Sequence, residues 1–322
     1  MKFFYRPMFR LVPDGTRIRF MNGRYAGLIV SAVLSVASVL LFFYPGLNLG
    51  LDFRGGVVMQ VATPQKPDFA KLRTALTAQH LPGASLQSFG HDQGVLISLE
   101  SRDNAAATQQ SLHAARAAVA QSLPGARILS TQAVGASVSA QLFQQGLLAL
   151  GLSFLMILVY IWFRFEWQFA VGAVVTLLLD VTKTIGFMVI TRIPFDLVTI
   201  AAILTIIGYS TNDKVVVYDR MRENLRKYKT MPLRELIDLS INETLNRTLG
   251  TSGTVFLAAL PLALFGGTAL SGFAWIMLFG IVVGTSSSIF IAAPILLFLG
   301  EHRLRRGTAK PADAATSVTA SR

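Results

Sequence analysis

Six stretches of the chain are apolar for long enough to cross a bilayer, and their spacing organises the rest of the sequence. The first, residues 25–44, carries no charge, and at ~1.5 Å per residue a helix of this length spans the roughly 30 Å hydrocarbon core. Five more follow at 142–163, 169–190, 197–218, 249–265 and 273–299. The first run is too long for the apolar part of a signal peptide, and Phe43-Tyr44-Pro45 offers no small-residue cleavage site, so a retained anchor is expected.

Between the first two runs the pattern changes. Residues 57–61 and 95–99 read as strands, 69–79 as a helix, and a long Ala-rich helix follows with Asn104 near its start. The tetrapeptide Leu-Pro-Gly-Ala occurs at 81–84 and again at 123–126, each time where a helical pattern gives way to a strand-like one (86–89 and 128–131). This echo predicts a duplicated βαβ-type unit, a small ferredoxin-like α+β sandwich. Farther on, residues 232–246 mix Leu233, Leu236, Ile237, Leu239 and Ile241 with charges and predict an amphipathic helix lying along the membrane interface. The expected division is a leading segment 1–24, a first helix 25–44, an outer α+β domain 45–141, helices two to six within 142–302, and a disordered tail 303–322.

About half of the residues are hydrophobic (52%), which excludes an ordinary soluble domain, while the formal charge of +12 raises the question of nucleic-acid binding. The placement of the cations answers it. Lys2, Arg6, Arg10, Arg17, Arg19 and Arg24 precede the first run; Arg220, Arg222, Arg226, Lys227, Lys229 and Arg234 lie between the fourth and fifth; Arg303, Arg305, Arg306 and Lys310 follow the sixth. The alternate loops hold Arg192 and little else. This is the positive-inside pattern of a multi-pass protein with both termini in the cytoplasm and its polar domain outside, and it leaves no call for nucleic acid as a partner.

Charges inside hydrocarbon cost at least a few kcal/mol each and are rarely kept without a partner or a task. They are Asp180 and Lys183 in the third run, Asp213 and Lys214 in the fourth, and Arg247 at the start of the fifth. His80, His91, His113 and His302 all lie outside the runs, so a proton relay through the membrane would need a carboxylate. Asp213 follows Tyr209, Ser210, Thr211 and Asn212, a polar lining at the end of an apolar stretch, which suits a carboxyl that exchanges protons. Asp213 and Arg247 are equally far from a hairpin apex near Thr230, so they should share a membrane depth. Two readings stand: Arg247 pairs with ionised Asp213 and is released on protonation, or the two form a permanent salt bridge that fixes helix register. Asp180 and Lys183, three apart, can neutralise each other or supply a second proton site; Lys214 is expected to snorkel toward the interface. Gly280, Gly284 and Ser286 to Ser288 predict close helix packing in the sixth run. Cysteine is absent, and no phosphate-binding Gly-rich loop, metal-ligand cluster or nucleophile triad is spaced along the chain. Neither an enzyme nor a cofactor is expected.

Three stretches resemble the SecF branch of the SecD/SecF family: Leu49-Gly50-Leu51-Asp52-Phe53-Arg54-Gly55-Gly56, Gly208-Tyr209-Ser210-Thr211-Asn212-Asp213 running into Val215 to Arg220, and Asn246-Arg247-Thr248 with Thr251-Ser252-Gly253-Thr254. The aromatic turn Trp162-Phe163-Arg164-Phe165-Glu166-Trp167 adds to it, and the likeness covers nearly the whole chain. The resemblance implies half of an RND-type fold in the bacterial inner membrane, completed by SecD and working beside the SecYEG channel, often with YajC, on preprotein substrates. It also implies that Asp213 and Arg247 are tied to proton movement, and the outer domain to drawing the preprotein forward. One departure is visible: Leu179 precedes Asp180 where the family usually has a histidine, and Lys183 is unexpected, which weakens a proton role for Asp180. A passive assembly subunit or half of an RND-type exporter are the competing readings.

Overall fold

The computed structural model describes residues 13, 16–81, 83–89, 94–99 and 105–299. Lys2, Arg6, Arg10, His91, Asn104, His302 and the cations from Arg303 to Lys310 lie outside the described residues. After a 3₁₀ turn (Phe20–Gly23), helix α1 (Arg24–Phe43) leads through a short helix α2 (Leu51–Arg54) into the outer unit: β1 (Gly56–Ala62), α3 (Phe69–Ala78), β2 (Ser85–Phe89), β3 (Gly94–Leu99), α4 (Ala105–Ser122) and β4 (Arg127–Val134). The chain then runs through α5 (Ala136–Arg164), α6 (Trp167–Thr191), α7 (Leu197–Lys227), α8 (Leu233–Phe265) and α9 (Gly267–Ser287), which continues by a π-helical turn (Ser288–Ala292) into α10 (Ala293–Leu299).

Six helices among the described residues are long and apolar enough to cross a membrane. About half of the apolar stretch of α6, α7 and the α9–α10 span is buried within the protein, against under a fifth for α1, α5 and α8. The first three therefore form the centre, and the others turn most of their apolar surface outward, as helices solvated by lipid do.

The outer unit is one four-stranded sheet in the order β2-β3-β1-β4, with every neighbouring pair antiparallel. Alternation fixes its buried face: Val57, Met59 and Val61 of β1 and Val95, Ile97 and Leu99 of β3 point to one side, where Leu72 and Leu76 of α3 and Leu112, Ala115 and Val119 of α4 cover them. The repeated tetrapeptide has a physical use. Leu81 and Leu123 each close the end of a helix onto that same core. Helix α3 starts where the Asp68 side chain accepts from the backbone N–H groups of Ala70 and Lys71.

The segment from Leu49 to Gly56 fastens this unit to the helices. Leu49 bridges Phe195, Gly50 N–H donates to Phe195 O (2.8 Å), Phe195 N–H donates to Asn48 O (2.7 Å), and Leu197 N–H at the head of α7 donates to Asp52 Oδ2 (3.0 Å). A Cβ on Gly50 would stand 3.1 Å from Phe195 O and 2.8 Å from Asp196 Cβ, so only glycine fits. Phe53 fills the angle between Phe143 and Phe195.

One expectation is corrected here. Residues 232–246 are not a separate helix on the membrane surface but the first half of α8, which runs unbroken to Phe265. The apolar stripe Leu233, Leu236, Ile237, Ile241 and Leu245 does not meet lipid headgroups; it packs on Met221 and Leu225 of α7 and on Met21. Periodicity announces a buried face without naming what buries it, and here α7 extends just as far, to Lys227. Asn224 joins the two extensions by donating to Ser240 Oγ (3.0 Å) and Glu243 Oε2 (2.7 Å).

Candidate functional site

Where α6, α7 and α9 meet, the apolar packing is interrupted by a cluster of ions and hydroxyls. Asp180 of α6 is 1% exposed. Its Oδ2 accepts hydrogen bonds from Lys214 Nζ (2.9 Å), Ser210 Oγ (2.8 Å) and Ser287 Oγ (2.7 Å). Its other oxygen stands 3.6 Å from Lys183 Nζ and has no hydrogen-bond partner. Lys214 donates as well to Ser210 Oγ and to Ser287 Oγ (3.2 Å). One carboxylate is thus set against two ammoniums, three hydroxyl and amine donors crowd a single oxygen, and three helices are tied at one point.

Close backbone approach makes this possible. A Cβ on Gly280 would lie 2.3 Å from Ile206 Cδ1, so Ile206 would have to move for any larger residue there, and one on Gly284 would lie 3.2 Å from Ser210 Cβ, a tight contact; the two glycines let α9 lie close against α7. The small-residue reading of the sixth run is the packing that brings Ser287 to Asp180. Just beyond it the helix widens into the π-helical turn, six residues before which Val282 is exposed and after which Pro294 stands. Proline lacks an N–H and its ring crowds the carbonyl four residues back, which loosens the ladder there. Tyr218 OH donates to Ala292 O (3.2 Å) and satisfies one carbonyl of that turn.

Asp213 is next to Lys214 in sequence but, about 100° around α7, faces other neighbours. It is 5% exposed, and the hydroxyl residues that face its carboxyl are Ser288 of the π-helical turn and Thr248 of α8, with Lys214 the nearby cation. Its Oδ2 has no hydrogen-bond partner, nor has Thr248 Oγ1. Thr248, the neighbour of Arg247 in sequence, faces Asp213, and no ion pair joins Asp213 to Arg247 among the described residues. The buried stripe of α8 runs through Thr244, Thr248 and Ser252, four apart, so Thr248 takes the inward position and Arg247 turns to the exposed face, with Asn246, Thr251 and Thr254. Lys214 also departs from expectation. It is 1% exposed and does not snorkel, because Asp180 and two serines receive its ammonium inside the protein. Asp180 and Lys183 do meet, but Lys214 is the closer partner. Within one helix the spacing of 180 and 183 was visible; the 180–214 pair needed the rotation of two helices, which no spacing supplies.

The remaining polar residues before Asp213 divide among several neighbours. Ser210 belongs to the Asp180 cluster, Tyr209 OH donates to Ser252 Oγ (2.5 Å), Thr211 donates to the carbonyl of Ile207 in its own helix, and Asn212 is exposed. Ser252 is in turn 2.8 Å from Thr285 Oγ1, so a second set of hydroxyls links α7, α8 and α9.

At the opposite end of α7, Asp196 caps the helix: its Oδ1 accepts from Thr199 N–H (2.8 Å) while its own N–H donates to Thr199 Oγ1 (2.8 Å). Burial pushes this carboxyl above the usual carboxylate range, with neighbouring Asp52 adding to the rise and the Thr199 hydrogen bonds opposing it. No group of His, Asp and Glu suited to a metal occurs among the described residues.

Six membrane-crossing helices around a buried ion cluster, with an α+β unit fastened to the head of the central helix, define a helical polytopic membrane protein. A family model described as "Protein export membrane protein SecD/SecF, C-terminal" matches residues 115–302, and one described as "SecD/SecF GG Motif" matches residues 40–63. The chain is 43% identical over 297 residues to the protein translocase subunit SecF of Rickettsia akari (91% of this chain, 96% of that one) and 41% identical over 301 residues to that of Cereibacter sphaeroides (91% and 93%). The crystal structure of SecDF, a translocon-associated membrane protein from Thermus thermophilus, superposes with a TM-score of 0.81 at 31% identity. That match covers 91% of this chain but 40% of the SecDF chain, so this chain spans about two fifths of that relative. The chain belongs to the SecD/SecF family of protein export membrane proteins.

Proposed function

We propose that this chain is the SecF-type half of a proton-driven device that, together with SecD and beside the SecYEG channel with YajC, promotes preprotein movement across the bacterial inner membrane. Both termini face the cytoplasm, and the outer unit, with the strand order of a ferredoxin-like split βαβ fold, stands in the periplasm. No covalent catalysis, cofactor or metal enters the scheme.

The observation that carries this reading is Asp213: a carboxyl inside the helix core with one oxygen unpartnered and two hydroxyl residues before it. Ionised, it balances the surplus ammonium of the Asp180 cluster next door; protonated, it can donate to a neighbouring hydroxyl and leaves that surplus uncompensated. The two protonation states therefore favour different packings of α7 against α8 and the π-helical turn. Moving one charge through 100 mV supplies about 2.3 kcal/mol, the same order as rearranging a buried ion contact. Because the head of α7 is bonded to Asp52 and the Leu49–Gly56 segment, a shift of α7 is handed directly to β1 and the outer unit. Arg247 enters from the other side. An exposed guanidinium level with Thr248 in an apolar environment calls for a protein partner, which SecD supplies across the face shared by Asn212, Arg247, Thr251 and Thr254.

Export into inverted vesicles, with and without a proton gradient, tests the proposal. Asp213→Asn and Arg247→Met should each remove the gradient-dependent part of export while the protein still assembles with SecD. A passive assembly subunit would instead tolerate Asp213→Asn with its gradient response intact, and that result would end the motor reading.

A further inference from the structure

A charged cleft of about 530 Å³ opens at the ends of α5 and α7, lined by Arg164, Asp219, Arg222, Glu223, Arg226 and Lys227. Four cations face two carboxylates, and both carboxylates are already engaged: Asp219 Oδ2 accepts from Arg164 Nη2 at 2.6 Å, and Glu223 Oε2 accepts from Arg220, outside the cleft, at 2.5 Å. Arg222 is paired with Glu166, so the positive charge without an ion-pair partner among the described residues falls on Arg226 and Lys227. Arg222 Nε is buried without a hydrogen-bond partner, its nearest carboxylate oxygen, on Glu166, lying 3.9 Å away. Arg226 is exposed and makes no ion pair among the described residues, and Lys227 rests with its ammonium 5.0 Å from the Tyr228 ring. Beside the cleft, Trp162 (68% exposed), Phe163 (85%) and Trp167 (45%) turn outward from the α5–α6 turn. Aromatic rings in that density at the end of a spanning helix mark the level of the headgroups.

We infer that this cleft is a binding site for the phosphate headgroup of an anionic phospholipid, with the acyl chains lying along the exposed aromatic face of α5. Three features together select that ligand. Arg226 and Lys227, with the guanidinium nitrogens of Arg222 that do not face Glu166, provide N–H donors for phosphate oxygens, and Arg226 can bind them in a forked geometry. The volume suits a headgroup rather than a single ion. The adjoining rings supply the apolar flank that a soluble phosphate does not use. A basic pocket between spanning helices at the membrane surface is a setting in which anionic headgroups are held. The site is separate from Asp213 and Arg247, so it bears on where the protein sits among lipids and not on proton exchange.

Native mass spectrometry of the full chain, purified in detergent and offered phosphatidylglycerol or phosphatidylcholine, reads occupancy directly. The wild type should retain phosphatidylglycerol in preference to phosphatidylcholine, and Arg222→Gln/Arg226→Gln/Lys227→Gln should lose that retention by about fivefold for each charge removed. Arg17→Gln/Arg19→Gln/Lys229→Gln, which removes three exposed cations outside the cleft, should retain the lipid as the wild type does. Equal retention of both lipids, equal loss in the two triple variants, or displacement of the lipid by inorganic phosphate alone would overturn the assignment.

Discussion

Lys214 carries an ammonium into the protein interior, and the free energy of that placement rests on what receives it. Breaking a buried ion pair by removing one partner costs roughly 3–5 kcal/mol, because the other charge is left without compensation. The two ends of this pair are not equivalent. Lys214→Met leaves Asp180 with Lys183 at 3.6 Å and with two serine hydroxyls, whereas Asp180→Asn leaves two ammoniums in the same space with no carboxylate between them. Thermal unfolding in detergent should therefore rank the variants wild type, Lys214→Met, Asp180→Asn, with the last losing the most; the reverse order would mean that Asp180 is not what compensates the two ammoniums. Every member of this cluster could be named from the sequence as a charge or hydroxyl inside an apolar run. Their grouping could not be. Residues 180 and 183, or 210 and 214, reveal themselves by helical spacing, but which helix turns which face to which is decided by Gly280 and Gly284 letting α9 approach α7. On α8, likewise, the inward position belongs to Thr248 and Arg247 is exposed.

Helices were recognisable as elements because hydrocarbon imposes length, and the strands of the outer unit because one buried sheet face imposes alternation. What the pattern left open was where a helix stops being membrane and becomes an extension stacked on another extension, as α7 and α8 do beyond the apolar runs. Two tests belong to this scale. At Gly186 a Cβ would lie 2.9 Å from Ser38 Cα, a backbone atom that cannot step aside, so Gly186→Val should push α1 from α6 and cost about 1–3 kcal/mol, whereas Gly208→Ala, with nothing within 4 Å of the new methyl, should leave the melting temperature nearly unchanged. The second concerns the cap of α7. Asp196 titrates above its unfolded value of 3.8 because it is buried, so the native state holds its proton longer than the unfolded chain does. Stability from this group then falls as pH rises from the ordinary carboxylate range through the raised value, and is level above it. Asp196→Asn keeps an oxygen for the cap and removes the slope, so the variant should match wild type near pH ~4 and melt higher at neutral pH. A variant that melts lower throughout would show that the ionised cap outweighs its burial.

At the scale of the whole molecule, the faces of the six spans divide by chemistry. Helix α5 shows lipid a nearly unbroken apolar surface, with Leu148, Leu152, Leu155 and Met156 all exposed. The face formed by α7 and α8 is different: Thr205, Gly208 and Asn212 on one helix and Arg247, Thr251 and Thr254 on the other are exposed, small or polar, and lie within or at the edge of the apolar runs of their helices. Small and hydrogen-bonding residues are what one helix presents to another inside a bilayer, and a guanidinium among them raises the cost of leaving the face uncovered. The proposed pairing with SecD is thereby given a location as well as a name. Because the chain has no cysteine, single cysteines report without background. Thr251→Cys should cross-link to SecD through a short bifunctional thiol reagent when SecD carries cysteines in its own spans, and Met156→Cys on α5 should not. Cross-linking from α5 and none from Thr251 would move the interface to the lipid-like face and leave Arg247 without the partner that the proton-driven scheme requires.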